Sequence, residues 1–372
     1  MGGRIVAGVA AVAVALAAAC SGGDDGGSGA AGDDTGAGAE ESTPPVAPAA
    51  VEAFTGPVEG FYDVPDPLPA GEPGDLIRTM PVDAPPGEVG LRVMYHSTDA
   101  EGEDRAVTGV VYHPTAAPPE GGWPIVAWAH GTSGLAAPCA PSRGPVAPPA
   151  FGVEGVRVAT DYIGLGPNGE LHPYLSAAAE GHAVVDGVAA ARALPDAHAG
   201  DRWVLTGHSQ GGHAALVANE MAADRLPDVE LLGTVAIAPG SQLAETYGDD
   251  FQARIITTMV LFGAASEDAA IDPRAYLSPE VYAAAAPVVQ DQCVGDIINA
   301  LVPLAGSPDY YVTDPRSDPV GTAWLEANDP GQVVDEVFLP TANHHTEPSE
   351  GGPAIEAWLA ARLAGDPAPD DC

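Results

Sequence analysis

Trp203-Val204-Leu205-Thr206-Gly207-His208-Ser209-Gln210-Gly211-Gly212-His213-Ala214-Ala215-Leu216, continued by a helical run to Leu226, decides how the chain is read. A short apolar run ends in Gly-x-Ser-x-Gly, and an Ala-rich helical run follows at once. Strand, sharp turn and helix in that order describe a nucleophile elbow. Gly207 and Gly211 are expected where a Cβ would collide with the neighbouring strand or helix. The helix N-terminus aims its dipole and free N–H groups at Ser209, where negative charge develops during acyl transfer. The bland alternative is a tight turn in an α/β sheet.

The surrounding composition narrows the partners. The 372 residues carry 13 basic and 52 acidic side chains, a net charge of −39. Such a surface repels nucleic acid and anionic membranes, so nucleic-acid binding is excluded. The acidity itself reads as solubility and carries no catalytic information. The four cysteines, Cys20, Cys139, Cys293 and Cys372, lack zinc-like spacing, so no metal site is expected, and no motif calls for a cofactor.

Residues 1–19 read as a signal peptide. Arg4 supplies a positive start, and residues 5–16 form an apolar core too short for a spanning helix. Leu16-Ala17-Ala18-Ala19-Cys20 resembles the lipobox of bacterial lipoproteins, with Ala17 where leucine is more usual. That resemblance implies cleavage before Cys20, lipidation of Cys20 and an extracytoplasmic location, with the membrane touched only through this anchor. Ordinary secretion is the alternative. Residues 20–50 have almost no large apolar side chain and are expected to be a disordered tether.

Residues 54–83 are proline-rich and predict irregular backbone. Residues 90–97 and 105–113 alternate as a hairpin pair; residues 124–129, 156–160 and 232–238 read as buried strands. Residues 173–194 and 354–363 read as helices, the second with Ile355, Trp358, Leu359 and Leu363 on one face. This alternation predicts an α/β, doubly wound, mostly parallel sheet, with His130, Asp161, Ser209 and Gly240 on one rim beyond the strand ends. The core spans residues 51–241 and 331–372. Residues 242–330 are helical and proline-punctuated, strand-like only at 255–262, and read as a cap.

Serine, acid and histidine are expected in that chain order. His344 follows the late strand at 333–339 and is the candidate base; His345 is its rival. The His130-Gly131-Thr132 turn resembles the His-Gly loop of esterases, so Thr132 and Gln210 are expected to offer oxyanion-hole N–H groups, each worth about 3 kcal/mol. His208 and His213 read as structural.

Trp128-Ala129-His130-Gly131-Thr132, Cys139-Ala140-Pro141-Ser142, Asp161-Tyr162-Ile163-Gly164-Leu165-Gly166, His172-Pro173-Tyr174-Leu175 and Gly207-His208-Ser209-Gln210-Gly211-Gly212 occur in order. Together with His344-His345-Thr346-Glu347 and Trp358-Leu359-Ala360-Ala361-Arg362, they resemble the secretory lipase family of fungi and actinobacteria over about residues 74–372. The resemblance implies an α/β-hydrolase fold with a helical cap, lipase or esterase activity on an ester or lipid substrate, no cofactor, and a Cys139–Cys293 bridge.

One part of that pattern is missing. The family places an apolar strand ending in Gly-x-x-Asp, then a helix, before the histidine strand. Here residues 324–332 run straight into Val333, without the ~30 residues such a unit needs. Cys372, whose family partner lies in that segment, is left odd. Asp268 follows the run 259–267, which imitates a strand–turn–acid pattern, and is the tentative acid. Asp329 precedes a strand and so belongs at the wrong end of the sheet; Asp161 and Glu347 read as structural. Two functions remain open: a surface-tethered serine ester hydrolase, or a hydrolase-fold binding or scaffold protein impaired by loss of the acid. A serine peptidase is the third reading.

Overall fold

The computed structural model describes residues 13–17, 50–144, 147–167, 169–246, 250–331, 335–339 and 342–367. The alternating runs pair as expected: β2 (Glu88–Thr98) and β3 (Asp104–Pro114) form an antiparallel hairpin in unbroken register from Glu88↔Pro114 to Thr98↔Asp104. Ahead of them, β1 (Leu76–Val82) corrects the expectation of irregular backbone across residues 54–83. Leu76 and Ile77 are buried, and the strand pairs antiparallel with β2. Its proline, Pro81, disguised an outer strand, where a missing N–H costs little.

The apolar runs make the centre of the sheet. β4 (Trp123–Ala129), β5 (Val156–Thr160), β6 (Ala199–His208) and β7 (Glu230–Ile237) lie in the order β5-β4-β6-β7, all parallel. Ile125, Val126, Val204, Leu205, Val235 and Ala236 have no exposed surface, as strands covered on both faces require. β3 joins β5 antiparallel, so the sheet is mixed, and the expectation of a mostly parallel sheet holds for its central strands. The register pairs Ala129 with Gly207 and Gly207 with Ala236, which brings the ends of β4, β6 and β7 to one rim.

Helices α1 (Ala177–Arg192) and α2 (Gln210–Arg225) cover one face, their alanines packing against β4, β5 and β6. Beyond β7 the chain becomes helical: α3 (Phe251–Glu267), α4 (Pro279–Asp291), α5 (Val294–Leu301) and α6 (Pro319–Ala327). The punctuating prolines explain where these helices start. Pro279 and Pro319 sit at first helical positions behind the caps Ser278 and Asp318, whose side chains accept from Val281 N and from Val320 and Gly321 N. Residues 255–262, read as strand-like, are the middle of α3: Asp250 caps it, and burial of Ile255, Met259 and Phe262 outweighs their β propensity. These helices share a second core with Leu135, Tyr174 and Leu175 from the loops of the sheet. The Cys139–Cys293 disulfide ties the two, with Cα atoms 5.4 Å apart across a sequence separation of 154 residues. On the opposite face of the sheet, α7 (Gly352–Leu363) buries Ile355 and Leu359 on Val126, Val204, Val235 and Ile237.

The far edge bears on the missing unit. β8 (Asp335–Phe338) does not pair with β7; Ala13–Ala17, inside the segment read as a signal peptide, lies between them and pairs antiparallel with both. β7 and β8 are therefore parallel to each other with one strand's width between them. Consecutive strands of a parallel sheet usually lie side by side, and here Ala13–Ala17 comes between the two. α6 ends at Ala327 and β8 begins at Asp335, with no strand or helix between them among the described residues. The rest of the segment read as a signal peptide, Cys20 with its expected lipid, nearly all of the expected tether and Cys372 lie outside the described residues. Among the described residues no helix is long and apolar enough to cross a membrane.

Candidate active site

Ser209 sits between β6 and α2 at φ 59° and ψ −120°, a backbone conformation that a non-glycine residue adopts at a cost of about 1–3 kcal/mol. The surroundings hold it there: Ser209 N donates to Ile237 O at 2.9 Å, and Ser209 O accepts from His213 N and Gly240 N. The glycines leave room as expected. A Cβ on Gly207 would collide with the Gly211 carbonyl and lie 3.1 Å from Ala129 Cβ. One on Gly211 would collide with the Ala129 carbonyl and lie 2.7 Å from His130 O.

His344 meets the serine: its Nε2 lies 2.9 Å from Ser209 Oγ. To take that hydroxyl proton, Nε2 must be bare and Nδ1 must carry the ring hydrogen. His208, beside the nucleophile, donates from Nε2 to the carbonyl of His344 at 2.8 Å and so pins the histidine loop to the elbow. Burial, reinforced by His208 and His345, pushes the His344 imidazole from its ordinary 6.5 down to about 4. It is therefore neutral, and competent as a base, throughout the neutral range. His345 is exposed, with its ring 5.9 Å from that of His344.

The His130-Gly131-Thr132 turn passes beside the nucleophile; a Cβ on Gly131 would be 3.7 Å from Ser209 Cβ. Tyr162 donates to His130 O at 2.9 Å, and Thr132 Oγ1 shares a hydrogen with Tyr174 OH at 2.7 Å. Gln210 is the first residue of α2, so its backbone N–H is one of the helix's unsatisfied donors.

Beneath the elbow lies a charged group that the sequence reading passed over. Glu180 of α1 is fully buried; its Oε1 accepts from Leu175 N at 2.9 Å and Gln210 Nε2 at 2.7 Å, its Oε2 from His213 Nδ1 at 2.8 Å. His213 Nε2 donates to Asn328 O at 2.8 Å, so both ring nitrogens donate and the ring is an imidazolium. Burial alone would raise the Glu180 carboxyl, but His213, with hydrogen bonds from His172 and His213, holds it from 4.5 down to about 2. Burial alone would lower the His213 imidazole, but Glu180 raises it above 6.5. The signal was a carboxylate among the alanines and valines of a helix, which a core tolerates only when paired.

The signs set a pH window. The stability from Glu180 is complete above pH 4.5 and is lost as pH falls toward about 2. That from His213 is complete below pH 6.5 and is lost as pH rises through its raised value. Glu180→Gln, which breaks a buried pair, is expected to cost about 3–5 kcal/mol between those limits, with a smaller difference outside them. Urea unfolding across pH is the check; a constant difference from pH 3 to pH 9, on the order of 0.5 kcal/mol, contradicts it.

The expected acid is not at the base. Asp268 is exposed at the end of α3, with Oδ1 accepting from Ala270 N at 2.8 Å. The run before it is helix, so the strand–turn–acid pattern that singled it out is absent, and the groups that act on His344 are His208 and His345. Asp329 accepts from Gln242 N and Leu243 N, and Asp161 from Thr108 Oγ1 and Ser142 N. Among the described residues no carboxylate is hydrogen-bonded to His344. Glu347 is nonetheless near: one of its oxygens, a ring nitrogen of His344 and one of His208 lie within 4.8 Å of one another. Donors of this type could also hold a divalent cation.

A model of the secretory lipase family matches residues 152–317, which include the elbow. No curated protein matches. Among solved structures, Candida antarctica lipase A in its closed state superposes with a TM-score of 0.62 at 15% identity, covering 84% of this chain and 87% of that one. A ligand-bound form of the rice cell wall degrading esterase LipA from Xanthomonas oryzae gives 0.60 at 19% identity, covering 79% and 98%. A putative hydrolase from Legionella pneumophila gives 0.51 at 20% identity, covering 65% and 70%. The chain has the α/β-hydrolase fold and resembles the secretory lipase family, as its motifs implied.

Proposed function

We propose that this protein is a carboxylic-ester hydrolase working through an acyl-enzyme on Ser209. The observation that carries this reading is the His344 Nε2 to Ser209 Oγ contact of 2.9 Å on a strained turn at a helix N-terminus. His344 takes the hydroxyl proton as Oγ attacks the acyl carbon, then gives it to the leaving alcohol. The backbone N–H groups of Gln210 and Thr132 receive the oxyanion. Water, activated by the same histidine, releases the acid and frees the serine. The family match and the lipase and esterase neighbours support an ester, including a lipid ester, as the substrate class. No step calls on a metal or cofactor.

The helical segment at residues 242–330 acts in this reading as a cap over the rim. Cleavage before Cys20 and its lipidation would leave the catalytic body tethered to the outer face of the cell membrane, or free in the medium without lipidation.

The test is Ser209→Ala, which is expected to reduce hydrolysis of a p-nitrophenyl ester to background; an unchanged rate excludes the reading. That no carboxylate among the described residues is hydrogen-bonded to His344 favours a second reading, a hydrolase-fold binding or scaffold protein with impaired turnover. Burst kinetics followed by steady turnover would exclude that alternative.

A further inference from the structure

We infer that Glu347 is the positioning carboxylate of this site, accepting Nδ1–H of His344 in place of the acid that the missing strand would have carried. The inference rests on the ester-hydrolase reading of Ser209 and His344. Three observations meet here. Glu347 is 1% exposed, and both of its carboxyl oxygens are buried without a hydrogen-bond partner among the described residues. A buried carboxyl left unsatisfied is costly and calls for an explanation, of which a catalytic role is one. One of those oxygens is within 4.8 Å of ring nitrogens of His344 and His208. His344 Nε2 is taken by Ser209 and His208 Nε2 by the His344 carbonyl, so the nitrogen of His344 left to a partner is Nδ1.

The backbone explains why a residue only three positions on can do this. Asn343 O accepts from both Thr346 N and Glu347 N, a tight turn that folds the chain back on itself. It leads into the short helix Glu347–Glu350, and Gly351 N donates to Glu347 O. Histidine and glutamate are therefore on one rigid turn, clamped to the elbow by His208. Hydrogen bonds at catalytic groups are often long before substrate binds and tighten in the complex.

The attraction between the two arises when His344 takes up a proton during the reaction. Burial, with Glu350 adding to it, raises the Glu347 carboxyl, while burial lowers His344. The groups facing the pair are His208 from β6, His345 from the same loop and Glu350 from the same turn. When Ser209 Oγ–H gives its proton to Nε2, the Nδ1–H stays on the ring, and the imidazolium is stabilised by the ionised Glu347. No proton passes to the glutamate.

Glu347→Gln tests this. In the full chain it is expected to lower kcat for a p-nitrophenyl ester about 10³–10⁴-fold with KM little changed. The acid limb of kcat, which reports the complex, should also move to lower pH, and Glu347→Asp should recover part of the rate. A purely structural glutamate would not move that limb. A second measurement needs no variant: proton NMR of the wild type with a boronic acid bound at Ser209 should show a downfield Nδ1–H of His344. Full kcat with an unmoved limb in Glu347→Gln, or no such proton in the wild type with the boronic acid bound, overturns the assignment while Ser209→Ala dependence leaves the hydrolase reading standing. If the wild type shows no Ser209-dependent hydrolysis, both fall. Chelation with EDTA should leave the rate unchanged; a loss restored by zinc would make the trio a metal site and overturn the positioning role.

Discussion

Alanine in place of His344 is expected to lower kcat for a p-nitrophenyl ester by about 10⁴–10⁶-fold, with KM within a few-fold of the original. The size of the effect carries the information. A histidine held in one tautomer and aimed at the serine makes its interaction only in the transition state, so removing it lowers kcat and kcat/KM together. A histidine with nothing to orient it would already have lost about 10⁴ of that advantage, and its removal would cost only ~10²-fold or less. The residual rate in His344→Ala comes from the two backbone donors and from binding. His345→Ala, by contrast, removes an exposed neighbour and is expected to leave kcat within about two- to threefold. Steady-state kinetics of the two variants side by side decides which histidine is the base.

Gly211→Ala is expected to damage both fold and rate. The added Cβ would meet backbone, the Ala129 carbonyl and His130 O, so no side-chain rotation can make room. Separating β4 from the start of α2 costs on the order of 3 kcal/mol, as overpacking of a closed interior does. The relief would also move Ser209 relative to the His130-Gly131-Thr132 turn, and a shift of about 1 Å in a catalytic group costs ~10²-fold. Urea midpoint and kcat should therefore fall together. Gly295→Ala is the control: nothing lies within 4 Å of its Cβ position, and both quantities should hold.

The elbow was legible because its parts are local. An apolar strand, two glycines forced by close backbone approach and an alanine helix are all read from one window, and Ser209 has the positive φ they imply. His344 was legible by chain order. What failed depended on distant packing. Residues 255–262 carry strand-forming side chains, yet a cap at Asp250 and a buried face make them helix. Asp268 was singled out on that misread strand. Glu180 could be recognised only as out of place in its helix, since its partner His213 is 33 residues away. The short acid segment was legible as arithmetic; in the sheet, Ala13–Ala17 stands between β7 and β8. Glu347 was set aside as structural, because nothing in its own stretch says that its oxygens are buried without partners.

The proposed mechanism depends on Ser209 becoming covalently acylated. A fluorophosphonate probe, followed by peptide mass spectrometry, reads this directly. Stoichiometric labelling confined to Ser209, slowed in His344→Ala by a factor comparable to the loss of turnover, is the expected result. Ester turnover that persists while Ser209 stays unmodified would contradict it.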